Sequence, residues 1–192
     1  CYTGVDLAAT SDLTAVAYLV VQDGTYYFKT HYYLPESALK DKADKELYKY
    51  WKQQGYLTVT SGNVTDYDYI TTDMLRYADV VNIQSVGYDK YNATQWAIDS
   101  TEQGLPLEEY PQTLGNFNMP TRELERLILS GKAVIDNNEI NRYCFRNVTL
   151  KSDYNGNVKP NKAVDKKKID GTIAMIQALG MYLRTPHYTN EI

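Results

Sequence analysis

The sequence is poor in the residues that bind zinc or form disulfide frameworks. Only two cysteines and two histidines occur among its 192 residues: Cys1, Cys144, His31 and His187. This set is too small for a Cys/His zinc cluster and gives no reason to expect a disulfide framework. If the chain binds a metal, carboxylates must supply most of the ligands, which favours Mg²⁺ or Mn²⁺.

Long apolar runs are missing as well. No stretch approaches the roughly 20 apolar residues that cross a bilayer, and the N-terminus has no basic-then-apolar signal peptide, so no membrane partner is expected. With 43% hydrophobic and 23% charged residues, the composition is typical of a folded domain. The chain starts with Cys1 rather than Met and a strand follows at once. We therefore expect residues 1–192 to be a single domain of a longer protein.

Positive charge is concentrated in one segment, although the net charge of the chain is −4. Residues 142–168 contain eight Lys or Arg and only two acidic residues. A solvated lysine-rich face and a contact with a polyanion both account for such a segment. The charge pattern alone does not distinguish them.

The hydrophobic patterns predict a mixed α/β sheet covered by helices. Residues 2–8, 13–22 and 25–34 read as an antiparallel three-strand meander, with a two-residue turn at Asp23-Gly24. Further along, the patterns predict a charged, exposed helix at 36–55. They also predict helices at 68–82, 93–103 (capped by Asn92), 118–131 (with Pro120 near its start) and 165–184. Short strands are predicted at 83–89, 105–111 and 133–138, and a hairpin about Asn155-Gly156.

Three acidic residues lie at the ends of these predicted elements. Asp6 interrupts the apolar first strand, Asp89 closes the strand IQSVGYD, and Asp170 lies in the first turn of the last helix. Gly171 and Ala174 are small enough to let that helix approach the sheet closely. If the two strands are neighbours, their acids project at one end of the sheet. Converging carboxylates repel one another unless cations lie between them, which suits two-metal phosphodiester hydrolysis.

Each acid also has a purely structural explanation. Asp170 in the first turn of a helix is favoured by the helix dipole regardless of function. Asp89 is compatible with an ordinary loop or capping role. Asp6 is the hardest to explain in this way, because its neighbours Val5 and Leu7 favour a position inside a sheet.

Taken together, five segments resemble the C-terminal nuclease domain of the large terminase subunit of tailed phages, the motor that packages DNA. They are GVDLAATSDLTAVAYLV, TVTSGNVTDYDYI, GYDKYNATQ, PTRELERLILSGK and NVKPNKAVDKKKIDGTIAMIQALG. They follow the family's order over nearly the whole chain. The resemblance implies a ribonuclease H-like fold, in which parallel strands follow the antiparallel meander. It also implies cleavage of concatemeric double-stranded DNA with two Mg²⁺ or Mn²⁺ ions.

The resemblance also implies which residues form the site. By matching motifs, the family's catalytic, metal-binding acids fall on Asp6, Asp89 and Asp170, the residues already selected by position. Asp12, after the first strand, and Asp66, in NVTDYD, are second-tier candidates. Asp12 is equally compatible with a turn role, and Asp66 with ordering its own loop.

The hairpin about Asn155-Gly156 is implied to lie beside the active site, near the path of the DNA. We therefore expect phosphate contacts from the basic residues around it: Lys159, Lys162, Lys166, Lys167 and Lys168. Some of them, Lys166 especially, are alternatively explained as compensating the charge of the acids. Neither His31 nor His187 is expected to act as a general base, since metal activation of water makes one unnecessary.

One family feature is absent from these residues. The full family protein carries an N-terminal ATPase with a phosphate-binding loop of the G-x-x-x-x-G-K-[ST] type, and no such motif occurs here. We expect this chain to bind metal and cut DNA but not to translocate it. In the full protein, the resemblance implies an ATPase domain, a portal and a small terminase subunit as partners, in the cytoplasm of a bacterial host.

Three other functions compete with this interpretation. A junction resolvase or recombinase core shares the metal chemistry and differs in substrate. A sugar-kinase or actin-like ATPase half also begins with a Gly-x-Asp strand, but it needs later Gly-rich phosphate loops, which do not occur. A non-catalytic phage DNA-docking module would have the same charges without the chemistry.

Overall fold

The computed structural model describes residues 1–8, 10, 12–40, 44–91, 93–164 and 167–186. Within these ranges the strands are β1 (Tyr2–Asp6), β2 (Thr14–Gln22), β3 (Thr25–Pro35), β4 (Thr58–Thr60), β5 (Ser85–Tyr88), β6 (Leu107–Glu109), β7 (Ala133–Ile135), β8 (Val148–Ser152) and β9 (Val158–Lys162). The α-helices are α1 (Lys45–Gln53), α2 (Tyr67–Ala78), α3 (Thr94–Glu102), α4 (Leu114–Leu129), α5 (Glu139–Arg146) and α6 (Asp170–Arg184).

Seven of these strands form one mixed sheet. Six of them follow the order β4-β3-β2-β1-β5-β6, and the seventh, β7, pairs with the start of β3, whereas β4 pairs with its end. The pairs β1–β2 and β2–β3 are antiparallel, whereas β4, β5, β6 and β7 join the sheet in parallel. The predicted meander is confirmed, and β5 lies directly beside β1, the arrangement under which Asp6 and Asp89 project at one end of the sheet. Strands β8 and β9 form a separate antiparallel hairpin.

The meander has the features that its sequence predicts. Strand β2 is buried from Thr14 to Leu19 on both faces, which explains its unbroken apolar run. The turn between β2 and β3 places Asp23 at φ 51° and Gly24 at φ 72°. Two consecutive positive φ angles match the type I′ turn that suits a two-residue hairpin.

Helix α6 is the central packing element of one face of the sheet. It is buried from Asp170 to Met181 and contacts β1, β2, β5, α4 and α5. The close approach depends on glycine, because a β-carbon at Gly4 would overlap the backbone of Ala174 and Ala178. A β-carbon at Gly171 would likewise overlap the Tyr32 hydroxyl. This confirms the expectation that small residues bring α6 against the sheet, and it sets the position of Asp170.

The two faces of the sheet carry separate apolar clusters. Residues of α6, α4 and α5 pack on one face together with Tyr32, Phe28 and Leu19. Helices α2 and α3 pack on the other face against Val5 and Val16. None of the helices in the described ranges is long and apolar enough to cross a membrane.

The segment 36–55 differs from the prediction of one exposed helix. Residues Glu36–Lys40 form a 3₁₀ helix, and α1 is a separate α-helix whose Tyr48 and Trp51 are buried. In the sequence these two aromatic residues stand among lysines and acids, so the apolar stripe of α1 is not evident from the charge pattern. Gly55 follows α1 with φ 74°, as expected for a residue that ends a helix.

Helix α4 begins earlier than predicted, and Pro120 lies in its interior. Thr113 is the N-cap, and its hydroxyl accepts a hydrogen bond from the backbone N–H of Asn116 at 3.3 Å. Proline removes the hydrogen bond to the carbonyl four residues earlier. That carbonyl, on Asn116, instead accepts a hydrogen bond from the Tyr110 hydroxyl at 2.7 Å. A tertiary contact therefore offsets the cost of the proline.

Two further details depart from the sequence prediction. Helix α5 was not predicted; Asn138 caps it, with its side chain accepting from the backbone N–H of Ile140 at 2.9 Å. The predicted cap Asn92 lies outside the described residues, and the residue preceding α3 is Ala93. Helix α5 has only eight residues, which is too few turns to show a clear apolar period in the sequence.

We predict that Gly4→Ala destabilises the protein by about 2–3 kcal/mol or more, the upper part of the range for overpacked cores. The added methyl would push α6 away from β1, because the atoms that it meets belong to the helix backbone. Urea unfolding curves measure the change. Gly115→Ala in α4 is the matched control: nothing lies within 4 Å of its β-carbon position, so stability should stay equal or rise. Equal midpoints for both variants would contradict the prediction.

Candidate active site

The carboxyl ends of β1 and β5 place two of the predicted acids beside one cavity. Asp6 is the last residue of β1, and Asp89 directly follows β5. Val5 is paired with Tyr88 in the parallel register, so the next residues of both strands lie level with each other. Both acids line a cavity of about 280 Å³, together with Leu7, Tyr91 and Gln112.

The third acid, Asp170, lies at the start of α6 on the face of the sheet toward which Asp6 projects. It is only 7% exposed. Its Oδ2 atom is buried and makes no hydrogen bond within the described part of the chain. A buried carboxylate oxygen without a donor is costly, and this one lies where a cation would relieve it.

The pKa values of two of these acids, Asp6 and Asp170, are both raised. Burial raises the pKa of Asp6 well above its usual value, and the charge of Asp170 raises it further. Burial and then the charge of Asp12 raise the pKa of Asp170 to about 6. Each shift means that the metal-free site favours a proton on these carboxyl groups.

Gln112 joins the two strand acids through hydrogen bonds. Its side-chain Nε2 donates to Oδ1 of Asp6 at 2.9 Å, and its backbone N–H donates to Oδ2 of Asp89 at 2.8 Å. Sequence analysis missed this residue. The available signal was its place just after β6, because polar residues at the ends of adjacent parallel strands meet at one edge.

Asp12 belongs to the same region but is paired with lysines. The Lys168 ammonium donates to its Oδ1, and the Lys162 ammonium lies 3.8 Å from its Oδ2. Burial opposes ionisation of Asp12, but the hydrogen bond from Lys168 and the two positive charges outweigh it and lower its pKa. The charges of the same lysines partly offset the rise in the pKa of Asp170. Asp12 therefore connects the acids to the basic segment.

The predicted DNA-binding lysines have different surroundings. Lys168 is 8% exposed and ion-paired with Asp12, a geometry that favours charge compensation. Lys159 donates to the carbonyl oxygen of Gln112 at 3.3 Å. Lys167 is exposed, with its ammonium 5.7 Å from the Tyr143 ring centre. Lys166 lies outside the described residues.

The hairpin of β8 and β9 is attached to α4 at the rim of the site. The backbone N–H of Val158 donates to Oδ1 of Asn118 at 2.9 Å, and Arg122 donates to the carbonyl of Gly156. Gly156 has φ 76°, which explains the glycine in the turn. The predicted hairpin is confirmed, and Lys159 places it next to Gln112.

Asp66 and His31 occupy other places. Asp66 is the N-cap of α2, and its Oδ1 accepts from the backbone N–H of Tyr69 at 3.0 Å. This matches the alternative in which it orders its own loop. His31 lies on β3, with Nδ1 3.3 Å from Oδ2 of Asp73, and lines a different pocket. His187 lies outside the described residues.

The chemistry of the three acids fits a divalent cation. Their oxygens are hard ligands of the kind that Mg²⁺ and Mn²⁺ prefer. The buried Oδ2 of Asp170, which accepts no hydrogen bond within the described residues, would be stabilised by a nearby positive charge. The described residues contain no group of three or more His, Cys, Asp or Glu already close enough to hold a metal ion. A cation held by Asp6, Asp89 and Asp170 together would therefore require their side chains to turn toward one another.

Known proteins resemble this chain over nearly its whole length. The family model for the terminase large subunit, endonuclease domain, matches residues 1–185. The chain is 28% identical over 184 residues to the large terminase subunit of Enterobacteria phage HK97, covering 93% of this chain and 36% of that protein. It is 32% identical over 198 residues to the protein YmfN of Escherichia coli (strain K12), covering 94% of this chain and 42% of that protein. It therefore spans about two fifths of the length of these relatives.

Solved structures agree with the sequence comparison. The HK97 large terminase superposes with a TM-score of 0.85 at 28% identity, covering 93% of this chain and 38% of that one. The large terminase nuclease of thermophilic phage G20c, solved with bound magnesium, superposes with a TM-score of 0.62 at 12% identity, covering 93% of this chain and 79% of that one. These likenesses confirm the predicted ribonuclease H-like mixed sheet with flanking helices. The chain belongs to the family of terminase large subunit endonuclease domains.

Proposed function

We propose that this chain is a metal-dependent endodeoxyribonuclease that hydrolyses phosphodiester bonds of double-stranded DNA, with Asp6, Asp89 and Asp170 as the residues that hold two Mg²⁺ or Mn²⁺ ions. The observation that carries the proposal is the meeting of Asp6 with Asp170. Burial raises the pKa of both, the charge of Asp170 raises that of Asp6 further, and Oδ2 of Asp170 accepts no hydrogen bond within the described residues. Structural carboxylates are usually hydrogen-bonded or paired when buried, so this arrangement favours a binding role.

The chain's own residues would prepare the site for a phosphate. Divalent ions bound to such carboxylates activate water and stabilise the departing oxygen of the phosphodiester. Asp6 and Asp89 come from the ends of two paired strands, whose rigidity sets their separation. Asp170 begins a buried helix, so the packing of α6 on β1 would fix its backbone and only its side chain would turn toward a bound ion.

The basic residues around the hairpin would hold the DNA backbone. We propose phosphate contacts for the lysines of this segment: Lys159, Lys162, Lys166, Lys167 and Lys168. Lys167 is exposed and Lys159 lies at the rim of the site, which favours these two for direct contact. Lys162 and Lys168 share their charge with Asp12 and would act on phosphate and carboxylates together.

The wider setting follows from the family. We propose that the full protein cuts concatemeric DNA during packaging, with an N-terminal ATPase domain, a portal and a small terminase subunit as partners, in the cytoplasm of the bacterial host. The family membership favours this substrate over that of a junction resolvase. A non-catalytic DNA-docking module is distinguished by direct measurement of cleavage.

We predict that Asp6→Asn, Asp89→Asn and Asp170→Asn each reduce plasmid nicking with Mn²⁺ by about 100-fold or more. Loss of an outer partner of a metal ligand already costs roughly 10–100-fold, and these residues are the ligands themselves. Supercoiled plasmid converted to open circle, followed over time on a gel, measures the rate.

Asp66→Asn is the matched control for these variants. Asparagine caps a helix about as well as aspartate, so α2 should keep its cap and nicking should stay at the wild-type rate. Robust nicking by Asp89→Asn would remove Asp89 from the metal site. Wild-type nicking rates in all three variants would overturn the assignment of these acids as the catalytic site.

We predict that the metal-free protein loses stability as the pH rises from about 4 through 6. Burial first, and the charge of Asp12 second, raise the pKa of Asp170 from 3.8 to about 6 in the folded state. Between these values the folded state binds more protons than the unfolded state, so the free energy of unfolding falls with rising pH. Urea unfolding in EDTA at several pH values measures the slope.

In the Asp170→Asn variant this slope should become shallower, because the amide does not titrate. Addition of Mn²⁺ at neutral pH should stabilise the wild type by mass action and stabilise this variant less. An unchanged slope in the variant would show that Asp170 does not titrate in this range.

We predict that Lys159→Ala and Lys167→Ala each weaken binding of duplex DNA and lower the dependence of log K on log salt by about 0.9, the value for one phosphate contact. Fluorescence anisotropy in Ca²⁺ at several salt concentrations measures both quantities. Lys49→Ala is the control, since Lys49 lies on α1 beside Glu46. Salt slopes equal to that of the wild type in both variants would exclude direct phosphate contact by these lysines.

A further inference from the structure

Gln112 makes hydrogen bonds with three different parts of the site. Its side-chain amide donates to Asp6 at 2.9 Å, and its backbone N–H donates to Asp89 at 2.8 Å. Its carbonyl oxygen accepts from the Lys159 ammonium at 3.3 Å. One residue therefore touches both strand acids and the hairpin.

The segment around Gln112 is held firmly on both sides. The Pro111 carbonyl accepts from the Asn116 side chain and from the backbone N–H of Thr113, both at 2.8 Å. The backbone N–H of Tyr110 donates to the carbonyl of Tyr88, the last residue of β5, at 2.6 Å. Gln112 is thus anchored to the strand that precedes Asp89 and to the start of α4. A donor in such a fixed segment can orient the groups that it contacts.

The hydrogen bonds restrict Asp89 and Asp6 in different ways. Asp89 accepts from Gln112 through Oδ2 and from the backbone N–H of Tyr91 at 2.9 Å through Oδ1, so two donors define the plane of its carboxylate. Asp6 accepts from the neutral amide through Oδ1. The amide stabilises the ionised carboxylate without adding a fixed charge that would repel a cation.

We propose that Gln112 is a positioning residue that sets the orientation of Asp6 relative to Asp89 for divalent cations, and that Lys159 connects this orientation to the hairpin. This inference rests on the proposed metal site. Partners that orient metal ligands typically contribute about 10–100-fold to affinity. Gln112 itself is not a ligand in this proposal; it acts through the carboxylates.

The test measures Mn²⁺ binding to the chain by calorimetry without DNA, in the wild type, Gln112→Met and Gln112→Ala. Methionine keeps the length of the side chain and the backbone N–H to Asp89, and removes only the donor to Asp6. We expect about tenfold weaker Mn²⁺ binding in both variants. In nicking assays, the Mn²⁺ concentration for half-maximal rate should rise by a similar factor, whereas the rate at saturating Mn²⁺ should largely recover.

Gln95→Met is the matched control. The Gln95 side chain also donates to an aspartate, Asp99, at 2.8 Å, but both lie on α3 and line a different pocket from the one that contains Asp6 and Asp89. Its Mn²⁺ affinity should equal that of the wild type. Unfolding midpoints in metal-free buffer report the folded fraction of every variant.

The outcomes separate the two proposals. If the wild type does not bind Mn²⁺, both the metal site and the role of Gln112 are overturned. If the wild type binds and the Gln112 variants bind equally well, only the positioning role is overturned. Weaker binding that merely follows a lower folded fraction in both Gln112 variants, with no recovery of the rate at saturating Mn²⁺, also overturns it.

Discussion

The packing of α6 directly on β1 is the constraint on which the site depends. Gly4 leaves room for the backbone of α6, and the contact brings the buried Asp170 to the end of the sheet that carries Asp6. Two carboxyl groups in such a place cost several kcal/mol unless a proton or a cation compensates them. The apolar packing energy of α6 therefore holds together two groups that repel each other. Raised pKa values of this kind cluster at functional sites.

Part of the compensation for these acids comes from the chain itself. Lys162 and Lys168 pair with Asp12, and their charges partly offset the rise in the pKa of Asp170. Gln112 supplies a neutral donor to Asp6. Part of the positive charge of the basic segment is thus directed at the acids. A bound phosphate and the carboxylates would both interact with the positive charge of these lysines. This shared use links the region proposed for DNA binding to the region proposed for chemistry.

Much of the fold was predictable because its signals are local. The alternation and β-branched residues of the meander, the Asp23-Gly24 turn and the apolar stripe of α6 all indicate their structures within a few residues. Helix α4 was placed too late because its early start depends on the Tyr110 hydroxyl, which satisfies the carbonyl left unpaired by Pro120. Gln112 was missed because its partner Asp6 lies 106 positions away in the chain. No local pattern marks such a contact.

By itself, the sequence determined that a charge stands in the first buried strand, that Asp89 closes another strand and that Asp170 opens the last helix. These placements follow from periodicity and turn propensity, which act between near neighbours along the chain. Only the tertiary structure decided that Asp6 and Asp89 share a cavity, that Asp170 is buried close enough to Asp6 for its charge to raise the pKa of Asp6, and that Lys168 forms an ion pair with Asp12. The physical reason is that burial and charge pairing depend on which distant elements pack together, and a backbone approach as close as that at Gly4 is determined by the whole sheet and helix.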